Sequence, residues 1–248
     1  MQYRSTAGNA PDVSLEEAVV KGLAPDRGLY MPERIGRLPE DFFRRLPSMS
    51  LQDMACEVAQ SLFGEDIDQE KLRELTAETL NFPIPLVKVT PERYSLELFH
   101  GPTLAFKDVG ARFMARLLGY FNRDSGDRLV NVLVATSGDT GSAVANGFLG
   151  VEGVMVFVLY PKGKVSPIQE SQFTTLGRNI EALEIDGTFD DCQALVKQAF
   201  LDGELNDRMM LTSANSINVA RFLPQMFYYF HAWGQLAAAG ADMENVVV

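Results

Sequence analysis

The residue in this sequence best placed for covalent chemistry is a lysine at the start of an amphipathic helix. The segment Leu98-Phe99-His100-Gly101-Pro102-Thr103-Leu104-Ala105-Phe106-Lys107-Asp108 reads as a strand end, a turn and a helix start, which puts Lys107 at the helix amino terminus. The helix dipole disfavours a cation there, and Leu104, Ala105 and Phe106 stand where they could draw the amine out of water. Both effects lower an amine pKa, as a lysine that condenses with an aldehyde requires. A surface lysine neutralised by Asp108 accounts for the same residues.

Three further loops offer anion-binding chemistry. Ala135-Thr136-Ser137-Gly138-Asp139-Thr140-Gly141 follows an apolar strand and opens a helix, so its glycines let backbone amides converge while its hydroxyls add donors for a carboxylate or phosphate. A polar helix cap reads the same way. Ser213 to Arg221 combines Asn215, Ser216, Asn218 and Arg221 into a candidate oxyanion clamp, guanidinium being the bidentate partner of phosphate. The plain alternative is an Asx-type cap with a solvated arginine. Lys162 and Lys164 follow another strand, where they add positive charge to a site or simply sit in a solvated turn. His100 and His231 are the only histidines and read as structural; no H-E-x-x-H or G-x-S-x-G occurs, and no metal site is expected.

These loops need a scaffold that brings them together. Residues 1–85 read as helices joined by turns, with Ser14 and Ser50 as caps, and Phe82-Pro83-Ile84-Pro85 closes the region. From Leu86 short apolar runs alternate with amphipathic helices, which is an α/β pattern. Strands are predicted at Leu86–Val89, Ser95–Phe99, Leu129–Ala135, Val154–Tyr160, Ile180–Ile185, Met209–Thr212 and Val246–Val248, with helices over Val109–Phe121, after Ser166-Pro167 and over Phe189–Phe200. Near-continuous apolar strands predict a mostly parallel sheet flanked by helices, and open sheets of that kind bind ligands at the carboxyl ends of their strands.

Composition narrows the function classes. The chain has 248 residues, 46% hydrophobic and 22% charged, as a soluble globular protein has. With 22 basic against 33 acidic residues its formal charge is -11, which argues against nucleic acid and anionic membranes as partners. Cys56 and Cys192 form no C-x-x-C pair and read as packing residues of a cytoplasmic protein.

Together the segments Gly28-Leu29-Tyr30-Met31-Pro32, LELFHGPTLAFKD, ATSGDTG, LYPKGKVSP and TSANSINVAR resemble the threonine synthases that carry an added amino-terminal helical domain. The resemblance implies a fold type II pyridoxal 5'-phosphate enzyme, tryptophan synthase β-like, that converts O-phospho-L-homoserine and water into L-threonine and phosphate. It implies Lys107 as the Schiff-base lysine and proton shuttle. Thr136, Ser137, Gly138, Asp139 and Thr140 would hold the substrate carboxylate and face the cofactor's phenolic oxygen; related enzymes often have asparagine where Asp139 stands. Asn215, Ser216, Asn218 and Arg221 look like the substrate-phosphate site, with Lys162 and Lys164 as further candidates.

On this resemblance residues 1–85 form the helical domain and 86–248 the cofactor-binding region, with a small domain over about 109–216 and the start of a large one in 86–108 and 217–248. Family members continue past Val248 into a glycine-rich loop for the cofactor phosphate. The chain alone is therefore expected to bind cofactor weakly, to have little activity, and to dimerise or lose solubility through exposed apolar surface. A non-catalytic phosphate-binding module and a related lyase such as a threonine dehydratase or phospholyase are the alternatives.

Overall fold

The computed structural model describes residues 1–123 and 129–247. The amino-terminal region opens with β1 (Tyr3–Ser5), followed by α1 (Leu15–Lys21) and β2 (Tyr30–Pro32), and the two strands pair antiparallel with Tyr3 opposite Pro32. These strands depart from the all-helical expectation, because three residues are too few to show alternation. α2 (Glu40–Arg45), α3 (Leu51–Phe63) and α4 (Gln69–Thr79) complete the region. Ser14 accepts the Glu17 N–H to start α1, and Ser50 accepts the Asp53 N–H to start α3.

β3 (Leu86–Thr90) and β4 (Arg93–Leu96) form a separate antiparallel hairpin instead of joining a parallel sheet. The Pro91-Glu92 link is the reason: two residues can turn a chain back but cannot carry it across a sheet. α5 (Lys107–Asn122), β5 (Val130–Ala135), α6 (Asp139–Phe148), β6 (Val154–Pro161), α7 (Pro167–Thr174), β7 (Ile180–Ile185), α8 (Phe189–Leu201), α9 (Gly203–Arg208) and β8 (Met210–Ser213) then build the α/β part. Its four strands run parallel in the order β7-β6-β5-β8. α10 (Val219–Phe222) and α11 (Met226–Ala238) follow.

Every residue of β5 is buried, as a strand covered on both faces must be. Val130, Val132 and Val134 join a core with Phe113, Met114 and Leu117 of α5 and with Leu15 and Leu62 of the amino-terminal region. Leu133 and Ala135 point the other way, into a smaller cluster with Cys192 and Val196 of α8. Each buried valine of that kind contributes about 1.5–3 kcal/mol. Because the larger core draws on both parts of the chain, α5 is seated on the amino-terminal helices as well as on the sheet.

The strand expected at Val246–Val248 is not formed in the described part of that run: Met243–Asn245 make a 3-10 turn, Val246 and Val247 are irregular, and Val248 lies outside the described residues. With no neighbour to pair with, a β-branched run gains nothing from extension. Among the described residues no helix is long and apolar enough to cross a membrane, and no group of three or more His, Cys, Asp or Glu side chains could hold a metal ion.

Candidate active site

The candidate crevice is the one expected at the carboxyl ends of β5 and β8, where open parallel sheets bind ligands. These strands are neighbours, in register from Val130 opposite Met210 to Leu133 opposite Ser213. From β5 the chain turns through α6 to β6 on one side, whereas from β8 it leaves for α10 and α11.

Lys107 is the first residue of α5, and its Nζ lies 3.6 Å from Asp139 Oδ2 in the loop after β5. The turn before it is built with care. Asp108 is 1% exposed and accepts both the Thr103 N–H (3.0 Å) and the Thr103 hydroxyl (2.6 Å). A Cβ on Gly101 would come within 2.4 Å of Asp108 Oδ2, so that position admits only glycine. Leu104 takes a left-handed φ of 59°, and Tyr228 of α11 donates its phenol to the Phe106 carbonyl, directly ahead of the lysine.

Asp108 is thus committed to Thr103 and does not neutralise Lys107; Asp139 does. The apolar cover expected from the preceding residues is also absent, since Leu104 is 67% and Phe106 43% exposed, although the Phe106 ring still lies 5.5 Å from Nζ. The lysine side chain is 23% exposed.

In the loop after β5, Thr136 is buried and its Oγ1 accepts the N–H groups of Gly138 (2.9 Å) and Gly141 (2.8 Å). That hydroxyl shapes the loop and is not presented to a ligand. Gly138 has φ 144°, a conformation that side-chain-bearing residues avoid, and a Cβ there would strike the Gln169 side chain at 2.5 Å. Ser137 and Asp139 are exposed and Thr140 half-buried; Gln169 of α7 donates to Asp139.

Beyond β8 the residues divide. Asn215 is half-buried and Ser216 exposed. Asn218 is wholly buried: its Oδ1 accepts the Ala220 N–H (3.0 Å) and its Nδ2 donates to the carbonyls of Val19 (2.8 Å) and Ser213 (3.4 Å). As a donor to an incoming phosphate it is already spent, contrary to the role expected of it.

Arg221 is also wholly buried, against Gly110 one turn along from Lys107, where a Cβ would meet the Arg221 carbonyl at 2.5 Å and its Nε at 3.4 Å. It is therefore not a solvated arginine. Only Nη1 is bonded, to the Ala214 carbonyl, while Nε and Nη2 have no partner among the described residues. Burial pulls its pKa down to about 10. Among the described residues no carboxylate pairs with this guanidinium, so two of its donor atoms are left without a partner in a buried place.

Lys162 and Lys164 are exposed in the turn after β6 and reach none of these groups. His100 Nε2 lies 2.6 Å from Glu97, and His231 is held below its ordinary pKa by burial. Cys56 and Cys192 are free and buried, with thiols pushed up by desolvation. None of the four approaches the crevice residues through any described bond.

Comparison with known proteins bears on what this crevice serves. Residues 2–80 match the family described as threonine synthase N terminus. The threonine synthase of Escherichia coli is 48% identical over 227 residues, 90% of this chain and 52% of the relative; that of Haemophilus influenzae is 48% identical over 95% of this chain and 54% of the relative. The chain is related to the threonine synthases.

Among solved threonine synthases, the pyridoxal-phosphate-bound structure from Brucella melitensis superposes with a TM-score of 0.89 at 39% identity, over 100% of this chain and 53% of that one. The Escherichia coli threonine synthase does so at 0.86 and 45%, over 95% and 54%. The chain thus spans about half the length of the threonine synthases it matches. Its α/β fold with the four-stranded parallel sheet is theirs. Tyr228 and Gln169, which brace the lysine turn and the Asp139 loop, carried no signal in the sequence because each acts from a distant element.

Proposed function

We propose that this chain carries the lysine centre of a pyridoxal 5'-phosphate enzyme which, in a polypeptide of the relatives' full length, converts O-phospho-L-homoserine and water into L-threonine and phosphate. The observation behind the reading is the ion pair of Lys107 with Asp139 in the β5/β8 crevice, close to a buried arginine with unused donors. The residues suit the cofactor: a primary amine at a helix start, a strand-to-helix loop whose Gly138 admits no side chain, and anion donors behind it. When bound, the cofactor supplies an electron sink that stabilises negative charge on the substrate carbons.

In this reading Lys107 Nζ would hold the cofactor and would take and return protons at the substrate carbons. Asp139 keeps that amine oriented. Ser137, Gly138 and Thr140 would bind the substrate carboxylate and line the cofactor, while Thr136 holds their loop in shape. Arg221, with Asn215 and Ser216, takes the substrate phosphate. Lys162 and Lys164 contribute only a positive field. Residues 1–85 act as the added helical domain, and 86–248 as the cofactor-binding region of a cytoplasmic enzyme that works as a homodimer.

Borohydride trapping tests the assignment. Reduction with pyridoxal phosphate present is expected to leave the label on the Lys107 peptide and to fail in Lys107→Ala; equal labelling of Lys88, Lys162 and Lys164 refutes it. A chimera completed with the carboxyl-terminal portion of the Escherichia coli relative is expected to release phosphate and form threonine. Keto-acid and ammonia release instead would identify a dehydratase.

A further inference from the structure

Two helices of the amino-terminal region end on side chains that belong to the site-bearing elements. The last carbonyls of a helix have no partner within it and need one from outside. In α1 the Val19 carbonyl receives Asn218 Nδ2 (2.8 Å) and Thr212 Oγ1 (3.4 Å), both from the segment that leads into Arg221. In α4 the Glu78 and Thr79 carbonyls receive the Arg112 guanidinium (2.7 and 3.1 Å), which comes from the helix that begins with Lys107. A cation at a helix carboxyl terminus is favoured by the dipole, and these bonds are buried or partly buried, where water competes poorly for them.

The first of these contacts is also closed sterically. Gly22 ends α1 with φ +71°, and a Cβ there would lie 3.2 Å from Asn218 Nδ2 and 3.5 Å from both the Ser213 carbonyl and Thr212 Oγ1. Asn218 therefore works in two directions: its Oδ1 caps the turn that carries Arg221, and its Nδ2 fastens that turn to α1.

We propose that α1 is a brace for the anion loop, with Asn218 a positioning residue that acts through the Val19 carbonyl to hold Arg221 for phosphate. The inference rests on the phosphate role given above to Arg221, and it makes the amino-terminal region a determinant of substrate-phosphate affinity instead of an appendage.

The test uses the full 248-residue chain and three variants. Asn218→Asp keeps the acceptor for the Ala220 N–H but turns an oxygen toward the Val19 carbonyl. Gly22→Ala pushes a methyl against the Asn218 amide from the α1 side while leaving the residues of the 213–221 segment themselves unchanged. Gly8→Ala is the control, with a similar φ of +77° and nothing within 4 Å of the new methyl. Amide hydrogen exchange over residues 213–222 and the dissociation constant for inorganic phosphate are read for each.

Asn218→Asp and Gly22→Ala are expected to speed exchange in that segment by about tenfold or more and to weaken phosphate by a similar factor, with Gly8→Ala moving neither. Gly22→Ala and Gly8→Ala behaving alike, or faster exchange with unchanged phosphate affinity, overturns the proposal. If the wild-type chain takes no phosphate while exchange responds as expected, the phosphate reading of Arg221 fails and only the brace survives.

Discussion

Arg221→Met separates stability from function at a single side chain. Burial lowers the Arg221 pKa to about 10, and a shift of that size sets about 3 kcal/mol against the charged form in the folded chain. Because the folded pKa lies below the unfolded one, the penalty is fully present at neutral pH and is relieved only as pH rises above about 10. Methionine removes the charge and keeps much of the stem. It also forfeits the Nη1 bond to the Ala214 carbonyl, a charge-assisted bond worth about 1.5–3 kcal/mol. The two effects largely offset each other, so the variant should unfold in urea at the wild-type midpoint or higher, with a net change between zero and a gain of about 1.5 kcal/mol. Phosphate binding should vanish. Breaking a properly paired buried charge instead costs about 3–5 kcal/mol, and a loss of that size would show that Arg221 has an internal partner and is not waiting for a ligand.

His231 should make stability fall with acid: its folded pKa is lowered by burial, so stability is whole above the ordinary imidazole range and declines as pH drops through that range toward the folded value. Thermal unfolding of His231→Gln from pH 7.5 down to pH 5, values chosen to span about the histidine range, should show a flatter profile than wild type; parallel profiles would exclude the histidine as the source. Asp108→Ala strands the Thr103 N–H and hydroxyl and should cost about 2–3 kcal/mol in urea unfolding, with less than 0.5 kcal/mol, roughly a surface substitution's effect, contradicting the turn described here. Gly138→Ala meets Gln169 at an unfavourable φ and should lower stability by about 1–3 kcal/mol; an unchanged melting temperature would mean the loop relaxes freely.

Much was legible in the sequence because it is local. The runs Val130–Ala135 and Val154–Pro161 became largely buried parallel strands, since hydrophobic continuity records burial on both faces, while Ile180–Ile185, broken by two glutamates, became the half-exposed edge strand. The caps at Ser14, Ser50 and Ser166 stand where a hydroxyl three residues ahead of a helix N–H belongs. Lys107 at a helix start and the strand-to-helix form of ATSGDTG were visible for the same reason.

What the sequence by itself could not decide was partnership at long range. Whether Asp108 or Asp139 faces Lys107, whether Asn218 reaches a ligand or the Val19 carbonyl, and whether Arg221 is solvated or sealed all depend on different elements of the chain being packed together. A side chain's spare donors are a property of its surroundings. Residue type sets how many bonds it can form, and only the tertiary structure determines which remain unused.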